Sequence, residues 1–197
     1  MSASDTPRMT PLAPASYTEE QAEAAVQFES TRGVKVAGPF ALLIRSPEVL
    51  KHAQALGAFL RYRCSISGPL SEFAIMVIAR EWTQNYEWHI HSAIGLKAGI
   101  DPAIVESLRV GRRPERMSAE QAAIYDLSTE LMRDRQVSDE TYGRALALFG
   151  EKGIVDLVAI NGYYGLLAMA MNTARMALPE GARPLPPLPP LQSPPRA

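Results

Sequence analysis

The chain of 197 residues has one cysteine, Cys64. A lone thiol closes no internal disulfide and supplies no multi-cysteine zinc or iron–sulfur site. A surplus of charge is also missing: 20 Lys and Arg stand against 21 Asp and Glu, for a formal charge of −1. That balance removes the long-range field of a general nucleic-acid binder, so no nucleic-acid partner is expected. No stretch approaches the roughly 20 apolar residues of a membrane span. Residues Met1 to Ser16 carry Pro7, Pro11 and Pro14 and no apolar run suited to a signal peptide. These absences predict a soluble, cytoplasmic protein with no membrane partner. Familiar catalytic motifs are absent too: there is no G-x-S-x-G, no phosphate-binding glycine loop and no H-E-x-x-H.

Proline, by contrast, is abundant: eight of the 16 fall between Pro179 and Pro195. The run Pro184-Leu185-Pro186-Pro187-Leu188-Pro189-Pro190 favours polyproline II, which builds no core of its own. The chain therefore divides into a flexible N-terminal segment, 1–17, a single folded domain, 18–178, and an extended Pro-rich tail, 179–197. The tail is read as a solvated end, a ligand for a proline-binding module, or an arm laid across a neighbouring subunit.

Within the domain the signals are helical. Ser46-Pro47 and Asp101-Pro102 read as an N-cap followed by Pro at the first helical position, and Pro69 opens another helix after Ser67-Gly68. Thr18 with Gln21 and Ser118 with Gln121 form capping boxes, and Ser138 caps a further helix. Gly99, Gly111 and Gly150 follow apolar turns and read as stops. No run shows sustained strand alternation. The expectation is an all-α bundle of about seven helices. Phe73 to Ala79 and Ile154 to Met171 are apolar on nearly every face and should be central, while Glu20 to Ser30 and Ala119 to Arg135 should lie outside.

The residues able to do chemistry cluster in two helices. Glu72 lies near the start of the first. Gln84-Asn85-Tyr86-Glu87-Trp88-His89-Ile90-His91 opens the second, with Asn85 as its expected N-cap. At helical spacing Gln84, Glu87 and His91 share a face, with Trp88 beside them making the surroundings apolar. Each also has an ordinary explanation. Glu72 and Glu87 sit where a helix dipole favours a carboxylate, and Glu87 with His91 is an i, i+4 pair. His89 and His91 are separated by about 200° on a helix and cannot share an ion. Glu72, Glu87 and His91 make a sparse ligand set, so neither metal nor cofactor is expected.

The segments Gly38-Pro39-Phe40, Ser46-Pro47-Glu48, Pro69-Leu70-Ser71-Glu72-Phe73-Ala74-Ile75, Tyr86-Glu87-Trp88-His89-Ile90-His91 and Leu96-Lys97-Ala98-Gly99 resemble, in order and spacing, the carboxymuconolactone decarboxylase family. That family shares its fold with alkyl hydroperoxidase D, and the resemblance runs from Gly38 to Leu178. It implies an all-helical bundle assembled as trimers or hexamers, with sites near subunit contacts. In the peroxidase branch a Glu is followed by a C-x-x-C pair and a His. Laid on this chain, the Glu falls on Glu72 and the His on His91, but the cysteine positions are Gln84 and Glu87. Thiol peroxidase chemistry needs a thiolate and a resolving thiol, so that activity is predicted absent even though a peroxiredoxin label fits the family.

The decarboxylase branch does without the cysteines. It implies a cofactor-independent enzyme acting on a small carboxylated lactone or ring acid of aromatic catabolism, with Glu72 and His91 as the acid/base pair. Gln84 would donate hydrogen bonds to substrate, while Glu87 would either repel a substrate carboxylate unless protonated or orient His91 through the helix. An anionic substrate calls for a cation: Arg80, Arg63 and Arg112-Arg113 are the candidates. The N-terminal helix and the proline tail set the chain apart from the compact decarboxylases. Two other readings stand beside this one: a hydrolase or isomerase in the same pocket, and a non-catalytic oligomeric binding protein whose pocket is filled by side chains.

Overall fold

From Phe73 to Ala79 every side chain is at most 1% exposed, an apolar run that can only be the middle of something. In the computed structural model, which describes residues 6–66 and 68–188, this run is the centre of helix α4, Gly68–Glu81. Around it are α1 (Glu19–Arg32), α2 (Phe40–Leu43), α3 (Pro47–Tyr62), α5 (Asn85–Lys97), α6 (Pro102–Arg109), α7 (Ala119–Arg133) and α8 (Asp139–Ala174). The described residues thus form an all-α fold of eight helices with no strand. The extra helix over the expected seven is the single turn α2.

Local chemistry places most of the helix ends. Both capping boxes form, and Asp101 and Ser138 cap α6 and α8 through their side-chain oxygens. Two expectations need correction. Ser46 makes no capping bond, so the start of α3 rests on Pro47. The cap of α5 is Gln84, whose carbonyl accepts from Tyr86 N at 2.6 Å and Glu87 N at 3.1 Å, and Asn85 is already helical. Ser67, the expected cap of α4, lies outside the described residues. Gly150 adopts φ 65°, ψ 175° inside α8 and splits it into two helical stretches. Only glycine takes that conformation cheaply.

Helix α4 packs against α5, α7 and α8, and α7 against α8. The expectation that α7 lies outside fails, because Ile124 and Leu127 are buried to within 1% on its inner face. The second stretch of α8 contributes Leu157, Ile160, Tyr164 and Met171 to the same core. Among the described residues α8 alone is long and apolar enough to cross a membrane by length and composition. In the fold 56% of its most apolar stretch is buried as a central helix. A separate small core of Ala25, Phe28, Ile44 and Leu50 holds α1 to the start of α3. The described residues near each end are tied to this body: Arg8 N donates to Ala174 O, and Leu185 N donates to Asn85 Oδ1 at 2.8 Å. Leu185 is buried in the main core, so the described part of the tail, through residue 188, lies on its own chain. Residues 189–197 fall outside the described residues.

Candidate active site

The two helices carrying the sequence candidates, α4 and α5, lie side by side. The bend between them runs through Thr83, whose φ of 47° reverses the chain. Glu72 and His91 consequently meet: His91 Nδ1 is 2.6 Å from Glu72 Oε2, both side chains being buried. The second carboxylate oxygen, Oε1, is 3.5 Å from the Arg61 guanidinium on α3. A contact this short between a carboxylate and a ring N–H fixes the tautomer and orientation of the imidazole. Nε2 is then the nitrogen left for a proton exchange. The edge of the His91 ring stands against Tyr164 at 5.3 Å between centroids.

His91 lines a cavity of about 390 Å³. Its floor comes from Glu87 and His91 of α5, Arg61 of α3, and Tyr163 and Tyr164 of α8. Its opposite wall comes from Phe28 and Arg32 of α1, the loop through Lys35, and Phe40 of α2. Gly57 on α3 makes this closeness possible, because a Cβ there would lie 2.1 Å from the Tyr163 hydroxyl. Arg32 lies over the Phe40 ring at 5.3 Å and donates to Gln54 O at 3.2 Å.

Charge in this cavity is set by burial. Glu87 is 3% exposed, its Oε2 has no partner, and desolvation pushes its carboxyl well above the ordinary range. Its carboxyl therefore holds its proton to higher pH than an exposed glutamate does, and in that form it can donate a hydrogen bond. Desolvation lifts the Tyr163 phenol to about 12 against the opposing pull of Arg32, and Tyr164 is raised by the same cause. Burial opposes the charge on Arg61, but Tyr164, Glu72 and Tyr62 outweigh it and hold its pKa above the ordinary guanidinium value. The cavity thus presents a lasting positive charge, neutral hydroxyls and a carboxyl that burial biases toward its protonated form.

The other sequence candidates stand elsewhere. Gln84 is spent on structure: its carbonyl caps α5 and its Nε2 donates to Asn172 Oδ1 at 3.0 Å. Trp88 packs in the main core and is not part of the cavity lining. Arg80 is buried in a different cleft, with Glu81, Leu108, Arg112 and Tyr125. Arg63 is exposed, and Arg113 is paired with Asp126 at 3.0 Å. Nor does Glu87 pair with His91, since Glu72 from the neighbouring helix occupies that ring. Among the described residues no three His, Cys, Asp or Glu side chains converge as a metal ion would require. Cys64 lies at the end of α3, outside the cavity lining, with Sγ donating to Leu60 O at 2.9 Å.

Arg61, Arg32, Lys35, Tyr163 and Tyr164 were not legible as site residues. The one local sign was a polar Tyr-Tyr pair within the apolar run of α8.

No family model and no curated protein matches the chain. Among solved structures it resembles an uncharacterized peroxidase-related protein with an alkylhydroperoxidase AhpD core, from Ralstonia eutropha JMP134. The TM-score is 0.67 at 16% sequence identity, covering 90% of this chain and 92% of that one. The single helical domain described here therefore has the AhpD-like fold.

Proposed function

We propose that this protein is a cofactor-independent acid/base enzyme of the carboxymuconolactone decarboxylase type, acting on a small carboxylated lactone or ring acid. The observation that carries the reading is the Glu72–His91 contact, with His91 on the lining of a roomy cavity, Glu72 behind it and Arg61 beside it. A substrate carboxylate would lie toward Arg61. Loss of carbon dioxide breaks the bond from ring carbon to carboxyl carbon and leaves the electron pair on the ring as a dienolate. His91, as imidazolium, delivers a proton from Nε2 to that carbon and regains one from solvent, while Glu72 steadies the positive ring. Burial favours the protonated form of Glu87, which does not repel the substrate anion and can donate to one of its oxygens.

Several features support the choice of branch. Gln84 and Glu87 stand at the positions where the peroxidase pattern carries its cysteines, and the lone thiol lies away from the cavity. An unfilled cavity also favours a protein that takes up a small molecule over one that only keeps the scaffold. The outer face of α8 exposes Val155, Val158, Leu166 and Met169, which suits self-assembly as a trimer or hexamer. Solution mass measures this directly.

The test is turnover of carboxylated lactones with carbon dioxide and product analysis. Glu72→Gln and His91→Ala should keep fold and assembly while lowering turnover by about 100-fold or more. Full activity in both variants would remove the site assignment. Product formed without carbon dioxide would point instead to a hydrolase or isomerase. Peroxide consumption with a dithiol reductant should show no turnover that Cys64→Ser abolishes.

A further inference from the structure

On the cavity lining, the group with least to hold it is the Glu87 carboxyl. Its side chain is 3% exposed, and its Oε2 has no hydrogen-bond partner among the described residues. A polar atom left unpaired at that depth costs free energy unless something that enters the cavity meets it. Glu87 precedes His91 by one turn of α5, so a ligand that meets it lies beside the acid/base pair.

Tyr163 supplies a second donor on the same lining. Its hydroxyl and Arg32 Nη2 both lie over Gly57, 2.1 and 2.8 Å from where a Cβ on that residue would stand. Arg32 acts on the phenol through its charge and through a side-chain hydrogen bond. A guanidinium only donates, so the phenol oxygen accepts in that bond and its own O–H is left to donate elsewhere. Arg32 is itself held, by Gln54 O at 3.2 Å and by the Phe40 ring beneath it. Burial raises the pKa of Tyr163 and Tyr164 alike, and the Glu87 carboxyl is near enough to act on both. Glu87 and Tyr163 therefore stand within electrostatic reach of each other, each with a hydrogen bond still to make.

We propose that Tyr163 and Glu87 form an oxyanion pocket, two hydroxyl donors that hold the ionised oxygen of a planar ring, a phenolate or an enolate, with Arg32 as the positioning residue for the phenol. In the decarboxylation described under the proposed function, on which the catalytic part of this inference rests, that oxygen belongs to the ring dienolate. As carbon dioxide leaves, the electron pair of the broken carbon–carbon bond spreads onto the ring carbonyl oxygen, and the two donors meet the charge as it develops. His91 then protonates the ring carbon and the oxygen reverts to a carbonyl. Tyr163 and Glu87 keep their protons throughout. Their bonds are therefore strongest to the transition state and weaker to the substrate, which is how binding accelerates a reaction.

The test needs no substrate. 3,4-Dinitrophenol is an anion just below neutral pH, and 1,2-dinitrobenzene is the same ring without the oxygen. By titration calorimetry the full chain should bind the phenolate at least about tenfold more tightly than the dinitrobenzene. Tyr163→Phe should lose about tenfold in affinity for the phenolate and keep its affinity for the dinitrobenzene, which reports an intact cavity. Glu87→Leu should lose a similar factor, whereas Glu87→Gln, whose amide still donates, should stay within about threefold of wild type. With a carboxylated lactone that turns over, Tyr163→Phe should lower kcat about 100-fold and move KM far less. Binding of neither compound, equal affinity for both, an equal loss for both in Tyr163→Phe, or a phenolate affinity unchanged in either Tyr163→Phe or Glu87→Leu would each overturn the proposal. Phenolate held through Tyr163 and Glu87 in a protein that releases no carbon dioxide from carboxylated lactones would leave the pocket standing and remove the decarboxylase reading.

Discussion

The cavity has two unlike sides. Its floor is made by α3, α5 and α8, backed by α4, and their inner residues belong to one continuous core that fixes the Glu72–His91–Arg61 group. Its wall is made by α1, the loop through Lys35 and α2, held by a separate core of four buried residues. Helix α1 buries only Ala25 and Phe28. Burial on that scale buys little stability, so the wall belongs to the part of the molecule that opens locally, while the floor shares the global stability. Groups that must hold a sub-ångström geometry are on the stiff side. Groups that shape the entrance are on the other.

The largest separation should come from truncating one aromatic on each side. Phe73→Ala should cost about 3–5 kcal/mol of global stability in urea unfolding. Phe28→Ala should instead strip hydrogen-exchange protection from 19–32 and leave α4 protected. If Phe28→Ala lowered global stability as much as Phe73→Ala, the two sides would be one cooperative unit. Next in size, Arg61→Ala should lower kcat/KM for a carboxylated substrate about 100-fold, through loss of a buried charge-assisted contact. Lys35→Ala on the wall should change it less than about tenfold. Equal effects would show that the wall takes part in the acid/base chemistry.

Gly57→Ala strikes the seam itself. The new methyl lies 2.1 Å from the Tyr163 hydroxyl and 2.8 Å from the Arg32 guanidinium, so both must move. A cost of about 1–3 kcal/mol is expected, with Tyr163 displaced in a crystal structure. Glu87 gives a pH-dependent effect. Its folded pKa is raised, so the native chain retains a proton that the unfolded chain releases above about 4.5. Its contribution is whole below that value and is lost as pH rises toward the folded pKa, by up to about 1.4 kcal/mol per pH unit. Glu87→Gln should flatten that slope in unfolding midpoints measured from pH 4 upward, and an unchanged slope would mean that Glu87 is ionised in the folded protein. The smallest effect compares the two capping boxes. Thr18→Ala and Ser118→Ala should each cost about 1 kcal/mol of helix stability. The first should be seen only in the exchange of α1, the second in global unfolding, since α7 lies in the main core.

Much of the helix map was legible because capping and termination are local. Thr18 and Gln21, or Ser118 and Gln121, are three residues apart and meet whatever the rest of the chain does. The α5 cap escaped for a related reason: Gln reaches the same N–H groups as Asn from one residue earlier, and nothing in the sequence says which does so. The outer placement of α7 failed because its charged residues hid a narrow apolar stripe that the neighbours α4 and α8 cover.

By itself the sequence determined an all-helical chain, the ends of most helices, the central standing of Phe73 to Ala79, and the absence of the paired thiols that peroxide chemistry would need. These follow from spacing along the chain and from which atoms are present. Tertiary structure alone decided which charges meet: Glu72 takes His91 from the next helix, Arg61 and not Arg80 faces the cavity, and Glu87 is left buried with its carboxyl pKa raised. The reason is that Coulomb energy and desolvation depend on distance and burial in space, and residues 19 or 11 apart in sequence acquire both only when the helices pack.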